Sequence, residues 1–243
     1  MEREIKALCF DLDGTLLQMD TEHFIESYMK SLSEHMAPII KPEDLNRWLW
    51  ASTKEMIMNN DSTKTNEEVF GVHFLSQCKM DRDTVWPHLD EFYSSKFSLL
   101  KQYTEPSPIS RQVVQTALDE GYKVIIATNP VFPRVAIQER MKWIEIDDLP
   151  IVWVTVYEEA HHCKPKPGYY KEIAAKVNVL PEECVMIGND MQEDMVASTI
   201  GMKTYLVTNH ILDHGQPTYV VDEKGTIEEL YTSIKNRTGL FSK

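Results

Sequence analysis

The sequence predicts an α/β fold, in which helices cover a parallel β-sheet and a helical segment is inserted into the chain. Short apolar runs rich in β-branched residues alternate with stretches of helical spacing, and this alternation is interrupted between about residues 18 and 105. The chain has 243 residues, of which 42% are hydrophobic, enough for one sizeable core or for a core with a smaller inserted unit.

The predicted strands are short apolar runs that each end in polar residues. They lie at 7–10, 123–127, 151–156, 184–187 and 204–207. Stretches with helical spacing lie between them at 131–143, 169–177 and 193–200. Gly201 is a suitable stop for the last of these helices. Because helices separate successive strands, we expect crossover connections and therefore parallel strands.

The interruption of the alternation predicts a helical cap at residues 18–105. Its apolar residues recur at helical spacing, and the polar run at 59–66 predicts a loop inside it. The sequence Pro-Ser-Pro at 106–108 is typical of a connection back to the α/β part. We therefore predict a catalytic core formed by residues 1–17 and 106–243.

The formal net charge of −13 is unfavourable for contacts with nucleic acid and with anionic membrane surfaces. A small soluble partner is expected instead, and a phosphate site in such an acidic protein needs positive charge of its own. Four of the first six residues are charged where a signal peptide is apolar, and no apolar run approaches the length of a membrane span. We expect a cytoplasmic protein, and the sequence leaves its oligomeric state open.

Two sets of conspicuous side chains are interpreted as structural. The four cysteines form no CxxC pair and are expected to be free, buried thiols: Cys9, Cys78, Cys163 and Cys184. Three tryptophans of the cap are interpreted as its core rather than as the lining of a pocket: Trp48, Trp50 and Trp86.

Acidic and polar residues follow three of the predicted strands, where an open parallel sheet binds its ligands. The first strand is followed by Asp11-Leu12-Asp13-Gly14-Thr15 and the second by Thr128-Asn129. The strand at 184–187 is followed by Gly188-Asn189-Asp190, with Asp194 four residues further on. We expect these residues to converge on one crevice.

A crevice of this kind would bring together four carboxylates, those of Asp11, Asp13, Asp190 and Asp194. Such crowding requires a neutralising cation, and Mg²⁺ suits oxygen ligands while leaving positions for water and phosphate. Lys164 or Lys166 would add positive charge.

These residues resemble the four motifs of the haloacid dehalogenase (HAD) superfamily. The motifs are the Asp11–Thr15 segment, Thr128, Lys164-Pro165-Lys166-Pro167, and Gly188-Asn189-Asp190 with Asp194, and they occur in family order. The resemblance implies a Rossmann-like HAD core with an inserted α-helical cap of the C1 type. It also implies an enzyme of the phosphatase branch, a phosphoric monoester hydrolase.

The resemblance further implies a role for each matching residue. Asp11 would be the nucleophile that forms an aspartyl phosphate, and Asp13 would be the general acid and base. Lys164, which heads the Lys-Pro-x-Pro pattern and therefore outranks Lys166, would neutralise the reacting groups. Thr128 and Asn129 would bind the phosphoryl oxygens.

The same resemblance implies that Mg²⁺ is held by the Asp11 carboxylate, the Asp13 backbone carbonyl and Asp190. Asp194 would act on the metal directly or through water. The family usually has Gly followed directly by Asp in the last motif, whereas Asn189 intervenes here. Either Asn189 or Asp190 can take the metal position, and Asp190 is favoured for its charge and its spacing to Asp194.

The sequence therefore predicts a Mg²⁺-dependent phosphatase that acts on a small soluble phosphomonoester. Asp13 favours phosphate esters, because family members that cleave carbon–halogen or carbon–phosphorus bonds lack an Asp at this position. A phosphomutase of the same fold and a non-catalytic sensor of a phosphate ligand are the alternatives. The identity of the phosphomonoester is left open.

Overall fold

The computed structural model describes residues 4–242, so residues 1–3 and 243 of the predicted core lie outside the described part of the chain. Its centre is one six-stranded sheet in the order β3-β2-β1-β4-β5-β6, with all neighbours parallel. The strands are β1 Ala7–Phe10, β2 Lys123–Ile126, β3 Trp153–Val154, β4 Cys184–Gly188, β5 Lys203–Val207 and β6 Glu223–Gly225. The predicted α/β fold with a Rossmann-like parallel sheet is confirmed.

Strand β1 lies at the centre of the sheet, between β2 and β4, and all four of its residues are fully buried. Leu8 and Phe10 belong to a hydrophobic cluster on one face, and Ala7 and Cys9 belong to a second cluster on the other. Successive side chains of a strand point to opposite faces, so a strand covered on both faces is apolar throughout. This is why the central strands were readable from the sequence.

The described residues form eight α-helices. They are α1 Thr21–Met36, α2 Pro42–Met58, α3 Asn66–Cys78, α4 Arg82–Ser95, α5 Pro108–Asp119, α6 Arg134–Trp143, α7 Pro167–Lys176 and α8 Ile227–Asn236. Helices α5, α6 and α8 contribute to the cluster that contains Leu8, and α7 contributes to the cluster on the opposite face. The sheet is therefore covered by helices on both sides.

Helices α1–α4 and a 3₁₀ helix at Phe97–Tyr103 lie between β1 and β2, and we call this helical insertion the cap. It confirms the predicted helical insertion, while the exact domain boundaries stay a prediction. The chain leaves the core and returns to it side by side, because the Glu105 N–H donates to the Gln18 carbonyl at 2.7 Å. Helix α3 begins with a capping box formed by Thr65 and Glu68, and the polar run at 59–66 is the predicted loop before it.

Three elements differ from the sequence-based prediction. Strand β3 has two residues rather than the six predicted, and β6 was not predicted because Glu-Lys-Gly has no strand pattern. Both are edge strands, which are commonly short and charged. The predicted helix at 193–200 is a 3₁₀ helix at Met195–Ile200, which ends at Gly201 as expected.

The cysteines are free thiols, and Cys9, Cys163 and Cys184 are buried as predicted, whereas Cys78 is only half-buried. Burial raises the pKa of Cys163 to about 12, so its thiol is uncharged at neutral pH. Within residues 4–242, no helix has both the length and the apolar character that a membrane span requires.

Candidate active site

The carboxyl ends of β1, β2 and β4 open into one cavity of about 150 Å³. All seven site residues that the sequence singled out line it: Asp11, Asp13, Thr128, Asn129, Lys164, Asp190 and Asp194. They come from segments far apart in the chain, and the parallel strands bring these segments to one edge of the sheet. The predicted convergence on a single crevice is therefore confirmed.

Asp11 directly follows β1, and its backbone N–H continues the sheet pairing by donating to the Ile187 carbonyl at 2.8 Å. Its side chain is buried, and the Thr15 hydroxyl lies 3.0 Å from its Oδ2. Gly14 allows the turn that follows, because its φ is +80° and a Cβ atom there would lie 2.4 Å from Asn189 Nδ2. The Asp11 carboxylate is thus held in a fixed position by the backbone around it.

Lys164 is buried between two carboxylates. Its Nζ donates to Asp11 Oδ1 at 2.7 Å and to Asp194 Oδ1 at 2.6 Å. Burial alone would lower the pKa of Lys164, but the adjacent Asp11 and Asp194 charges raise it well above its ordinary value. Lys166 does not line the cavity, and its Nζ donates instead to the Asn59 carbonyl of the cap.

Asp13 forms an ion pair that the sequence did not suggest. The guanidinium of Arg140 on α6 donates to Asp13 Oδ2, and Arg140 is fully buried. Burial raises the pKa of Asp13, and the Arg140 charge opposes this shift. Asp13 Oδ1 and Arg140 Nη2 are buried without a hydrogen-bond partner among the described residues. Asp13 therefore has one oxygen fixed by Arg140 and one that is free to bind.

A sequence signal for Arg140 did exist. The buried residues of α6 are Ala136, Ile137, Arg140, Met141 and Trp143, which recur at helical spacing. A charged residue on the buried stripe of a helix needs a buried partner, so this position pointed to a carboxylate elsewhere in the fold.

Asn189 and Asp190 both line the cavity, at the position where the sequence left the metal ligand open. Asn189 Oδ1 lies 3.0 Å from the Thr15 hydroxyl, and its Nδ2 donates to the His210 carbonyl at 2.6 Å. Asp190 Oδ1 accepts the backbone N–H groups of Gln192 and Glu193 at 2.7 Å each. Its Oδ2 accepts no hydrogen bond from the residues that the structure describes, so one carboxylate oxygen of Asp190 is available.

Asp194 is almost fully buried and is held from two sides. Its Oδ2 accepts the backbone N–H of Asp190 at 3.0 Å, while its Oδ1 accepts from Lys164. Burial raises the pKa of Asp194, and the Lys164 charge opposes this. A Cβ atom at position 188 would lie 2.1 Å from Asp194 Oδ2, so only glycine at this position permits this close approach.

Glu193 is a further cavity residue that sequence reasoning missed. Burial raises the pKa of its carboxyl, and its Oε2 accepts from Asn129 Nδ2 at 3.2 Å. The Asn129 Oδ1 accepts the backbone N–H of Lys164 at 3.3 Å. The Asn129 side chain therefore connects the loop that carries Lys164 to the loop after β4.

The loops after β1 and β2 also leave hydrogen-bond donors free at the cavity. The Thr128 carbonyl accepts from the Thr155 hydroxyl and the Tyr169 hydroxyl at 2.6 and 2.8 Å, which fixes the loop. The Thr128 hydroxyl and the backbone N–H groups of Asp13 and Asn129 have no acceptor within residues 4–242. Such a set of converging donors suits the oxygens of an anion.

The charges around the cavity do not balance. Five carboxylates line it: Asp11, Asp13, Asp190, Glu193 and Asp194. Two buried cations, Lys164 and Arg140, lie against them. An excess of buried negative charge is unfavourable without a further cation. Carboxylate and carbonyl oxygens are the ligands of hard divalent ions such as Mg²⁺, so the donor set fits the predicted metal.

A second cavity of about 130 Å³, which we call the cap pocket, lies between the cap and the core. It shares Ile25, Val131 and Phe132 with the catalytic cavity. Trp50 lines it and is 58% exposed, so the interpretation of this residue as cap core was wrong. Trp86 packs against the hydrophobic core, as predicted, and also lines the pocket. Trp48 does belong to the core of the cap and makes an edge contact with Phe74.

The family model for haloacid dehalogenase-like hydrolases matches residues 5–197, well over half of the chain. The chain belongs to the haloacid dehalogenase-like hydrolases. The matched region of this hydrolase contains every predicted site residue. The hydrolase is 25% identical over 236 residues to the pyrophosphatase PpaX of Bacillus mycoides (strain KBAB4), covering 95% of this chain and 99% of the relative.

Two solved structures show the same fold as this hydrolase. An HAD phosphatase from Thermococcus onnurineus aligns with a TM-score of 0.57 and 19% identity, covering 94% of this chain and 97% of that one. L-2-haloacid dehalogenase from Xanthobacter autotrophicus aligns with a TM-score of 0.60 and 13% identity, covering 96% of this chain and 100% of that one. At these identities the similarity establishes the fold alone.

Proposed function

We propose that this hydrolase is a Mg²⁺-dependent phosphatase that cleaves a small phosphomonoester through an aspartyl phosphate on Asp11. The observation that carries the proposal is the placement of the Asp11 carboxylate beside the Lys164 ammonium, 2.7 Å away, in a cavity lined by free donors. Asp13, with one unpartnered oxygen, lies in the same cavity. A nucleophile, a general acid and hydrogen-bond donors for an anion therefore lie in the same cavity.

In the first step, a carboxylate oxygen of Asp11 attacks phosphorus and the bond from phosphorus to the ester oxygen breaks. The departing oxygen takes a proton from Asp13, whose pKa is raised by burial and which therefore suits the role of an acid. In the second step, water attacks phosphorus and gives a proton to Asp13. Inorganic phosphate leaves, and the Asp11 carboxylate is restored.

Positive groups stabilise the phosphoryl oxygens during both steps. Lys164 is charged and lies against Asp11, so it offsets the repulsion between the nucleophile and an anionic phosphate. The Thr128 hydroxyl and the backbone N–H groups of Asp13 and Asn129 are free to donate to the phosphoryl oxygens. Asn129 therefore contributes through its backbone, because its side chain is bonded to Glu193 and Lys164.

The residues that would hold Mg²⁺ are the Asp11 carboxylate, the Asp13 backbone carbonyl and the Asp190 carboxylate, with Asp194 acting directly or through water. The free Oδ2 of Asp190 supports its choice over Asn189, whose Oδ1 faces the Thr15 hydroxyl. When bound, Mg²⁺ would neutralise the surplus of carboxylates and help to orient the phosphoryl group for attack at phosphorus.

A phosphomutase and a phosphate sensor are the alternative functions, and the named relative adds hydrolysis of pyrophosphate as a candidate reaction. A mutase would return an isomerised phosphate ester instead of inorganic phosphate. A sensor would bind phosphate esters without releasing phosphate. Product analysis therefore separates these functions from a phosphatase.

The test is phosphate release from p-nitrophenyl phosphate with and without Mg²⁺ by the wild type, Asp11→Asn and Asp13→Asn. We expect Mg²⁺-dependent release by the wild type, background release by Asp11→Asn, and a loss of about 10²–10⁴-fold in Asp13→Asn. Asp119→Asn is the matched control, because Asp119 is exposed on α5 outside the cavity. Full activity of Asp11→Asn would contradict the proposal.

A further inference from the structure

The cap pocket differs in chemistry from the catalytic cavity that it adjoins. Its wall is made of apolar and aromatic side chains, including Leu32, Leu49, Phe70 and Trp86. Among the described residues that line it, Asp90 is the one with a formal charge, and Asp90 is exposed. A ligand group that moves from water into this pocket therefore contacts mainly apolar surface and no cation.

Two of the polar groups that line the pocket are bonded to each other, since the Tyr28 and Tyr93 hydroxyls lie 2.9 Å apart. Burial raises the pKa of Tyr28 to about 12, so this phenol is uncharged at neutral pH. The Thr53 and Tyr157 hydroxyls also line the pocket. A charged ligand group would therefore contact a few neutral hydroxyls in a mainly apolar wall, which offset little of its desolvation cost.

The two nearest guanidinium groups are also engaged. Arg82 lies over the Trp86 ring, 4.3 Å from its centroid, and pairs with Glu67. Arg140 lies 4.5 Å from the centroid of Phe132 and pairs with Asp13. Both cations rest against aromatic rings of the pocket wall and have carboxylate partners, and neither lines the pocket, although Arg140 Nη2 has no hydrogen-bond partner among the described residues.

The two cavities are neighbours that share part of their wall. Ile25, Val131 and Phe132 line both, so a substrate whose phosphoryl group lies at Asp11 has the cap pocket beside it. A cavity of about 130 Å³ is close in size to apolar cavities of about 150 Å³ that bind benzene. The space therefore matches one aromatic ring or a hydrocarbon of similar size.

We propose that the cap pocket binds the organic part of the substrate, and that this part is apolar and of the size of a single aromatic ring. The proposal rests on the proposed function, because it assumes a phosphoryl group at Asp11. It predicts that pyrophosphate is a poor substrate, since a second phosphate in the pocket would lose its water without gaining a cation. The chain would then differ in substrate from the relative named as a pyrophosphatase.

The test measures binding, so that it does not depend on catalysis. Three phosphonates, which lack the cleavable ester bond, are titrated into the wild-type protein with Mg²⁺ in a calorimeter: benzylphosphonate, methylphosphonate and methylenediphosphonate. We expect benzylphosphonate to bind at least about tenfold more tightly than the other two, because only its ring fills the pocket. Equal or tighter binding of methylphosphonate or methylenediphosphonate, or no binding of any of the three, would overturn the proposal.

A pair of variants locates the effect. Thr53→Phe places a ring into the pocket that Thr53 lines, and we expect it to remove the advantage of benzylphosphonate over methylphosphonate. Val72→Phe adds the same ring on an exposed face of α3 outside the pocket and is expected to keep the advantage. An unchanged advantage in Thr53→Phe, with a cooperative thermal transition like that of the wild type, would place the ring elsewhere.

A second measurement needs no variant that alters the pocket. Quenching of tryptophan fluorescence by 4-nitrobenzylphosphonate is expected, because Trp50 and Trp86 line the pocket. Absence of quenching at saturating ligand would contradict the proposal. Tight benzylphosphonate binding combined with no phosphate release from any ester would instead leave the pocket assignment intact and refute the phosphatase function.

Discussion

The catalytic cavity and the cap pocket share a wall but have opposite chemistry. Five carboxylates and two buried cations surround the first, whereas Asp90 is the one charge among the described residues that line the second. Most residues of the catalytic cavity follow strands, and Lys164 comes from the loop before α7. The pocket residues project mainly from helices of the cap. If the proposed functions hold, the comparison teaches that reaction chemistry depends mainly on the loops of the core and substrate choice mainly on the cap, with Ile25, Val131 and Phe132 common to both.

The largest effect is expected when the cation is removed from the catalytic cavity. Lys164→Met leaves Asp11 and Asp194 without their shared partner in a buried site. We expect kcat to fall by about 10²–10³-fold. We also expect the free energy of unfolding to fall by about 3–5 kcal/mol, measured by urea denaturation. Binding of the benzyl group in the cap pocket should change much less than kcat does.

Lys166→Met is the matched control for this prediction. Lys166 is two residues away from Lys164, but it does not line the cavity, and its Nζ donates to the Asn59 carbonyl. A decrease in kcat of less than tenfold is expected. Equal decreases in kcat in Lys164→Met and Lys166→Met would mean that catalysis depends on the total charge of the loop rather than on the position of Lys164.

Arg140 pairs with Asp13 of the catalytic cavity and lies against Phe132 of the shared wall, so its removal tests how separate the two cavities are. Arg140→Met leaves the Asp13 carboxylate without its cation, and we expect the free energy of unfolding to fall by about 3 kcal/mol. We also expect kcat to fall by about tenfold or more with a smaller change in KM, because Asp13 loses its fixed position. Arg140→Lys, which keeps the charge, should recover part of kcat.

The control for Arg140 lies on the same helix. Arg134 is exposed and pairs with Glu159, so Arg134→Met should lower the free energy of unfolding by less than about 1 kcal/mol. If Arg134→Met lowered the free energy of unfolding as much as Arg140→Met does, the effect would be due to a change in helix α6 and not to loss of the ion pair with Asp13.

The smallest effect is expected at Glu158, a carboxylate that lines neither cavity. Both of its oxygens accept the Arg134 N–H at the start of α6, and burial raises its pKa. A carboxyl with a raised pKa favours folding when protonated, and this contribution is lost as pH rises through the raised value. The stability of the wild type relative to Glu158→Gln should therefore decrease as pH rises above about 4.5. A difference that grows with pH would contradict this sign.

Local signals were sufficient for the catalytic cavity. A strand buried on both faces is apolar throughout, and the position just after it determines where Asp11 lies. The same logic located Thr128 and the segment after β4. Fold class and the convergence of the residues that follow the strands were therefore predictable, since they depended on neighbours in the sequence and on the shared edge of one sheet. Lys164 follows no strand, and its place in the site was implied by the Lys-Pro-x-Pro motif.

Interactions between distant segments were not predictable in the same way. Arg140 and its partner Asp13 are 127 positions apart, and the local sequence around either residue does not identify the other as its partner. Helical spacing indicates which face of α2 or α4 turns inward, but not whether neighbouring helices close the space between them. Trp50 was therefore assigned to a packed core when it borders an open pocket, and the pocket face of Trp86 was not foreseen. Strand β6 exists through pairing with β5, which residue type does not reveal.

The bond between Glu105 and Gln18 has a consequence for the architecture as a whole. Because the chain leaves and re-enters the core at adjacent points, the cap forms a closed loop. The length of this loop does not set the distance between the two points at which it joins the core. Closure entropy changes only slowly with the length of such a loop. A change in the length of the segment between these two residues therefore costs little closure entropy, and the main constraint on it is the packing of cap residues such as Phe24 in the same hydrophobic cluster as Leu8 of the sheet.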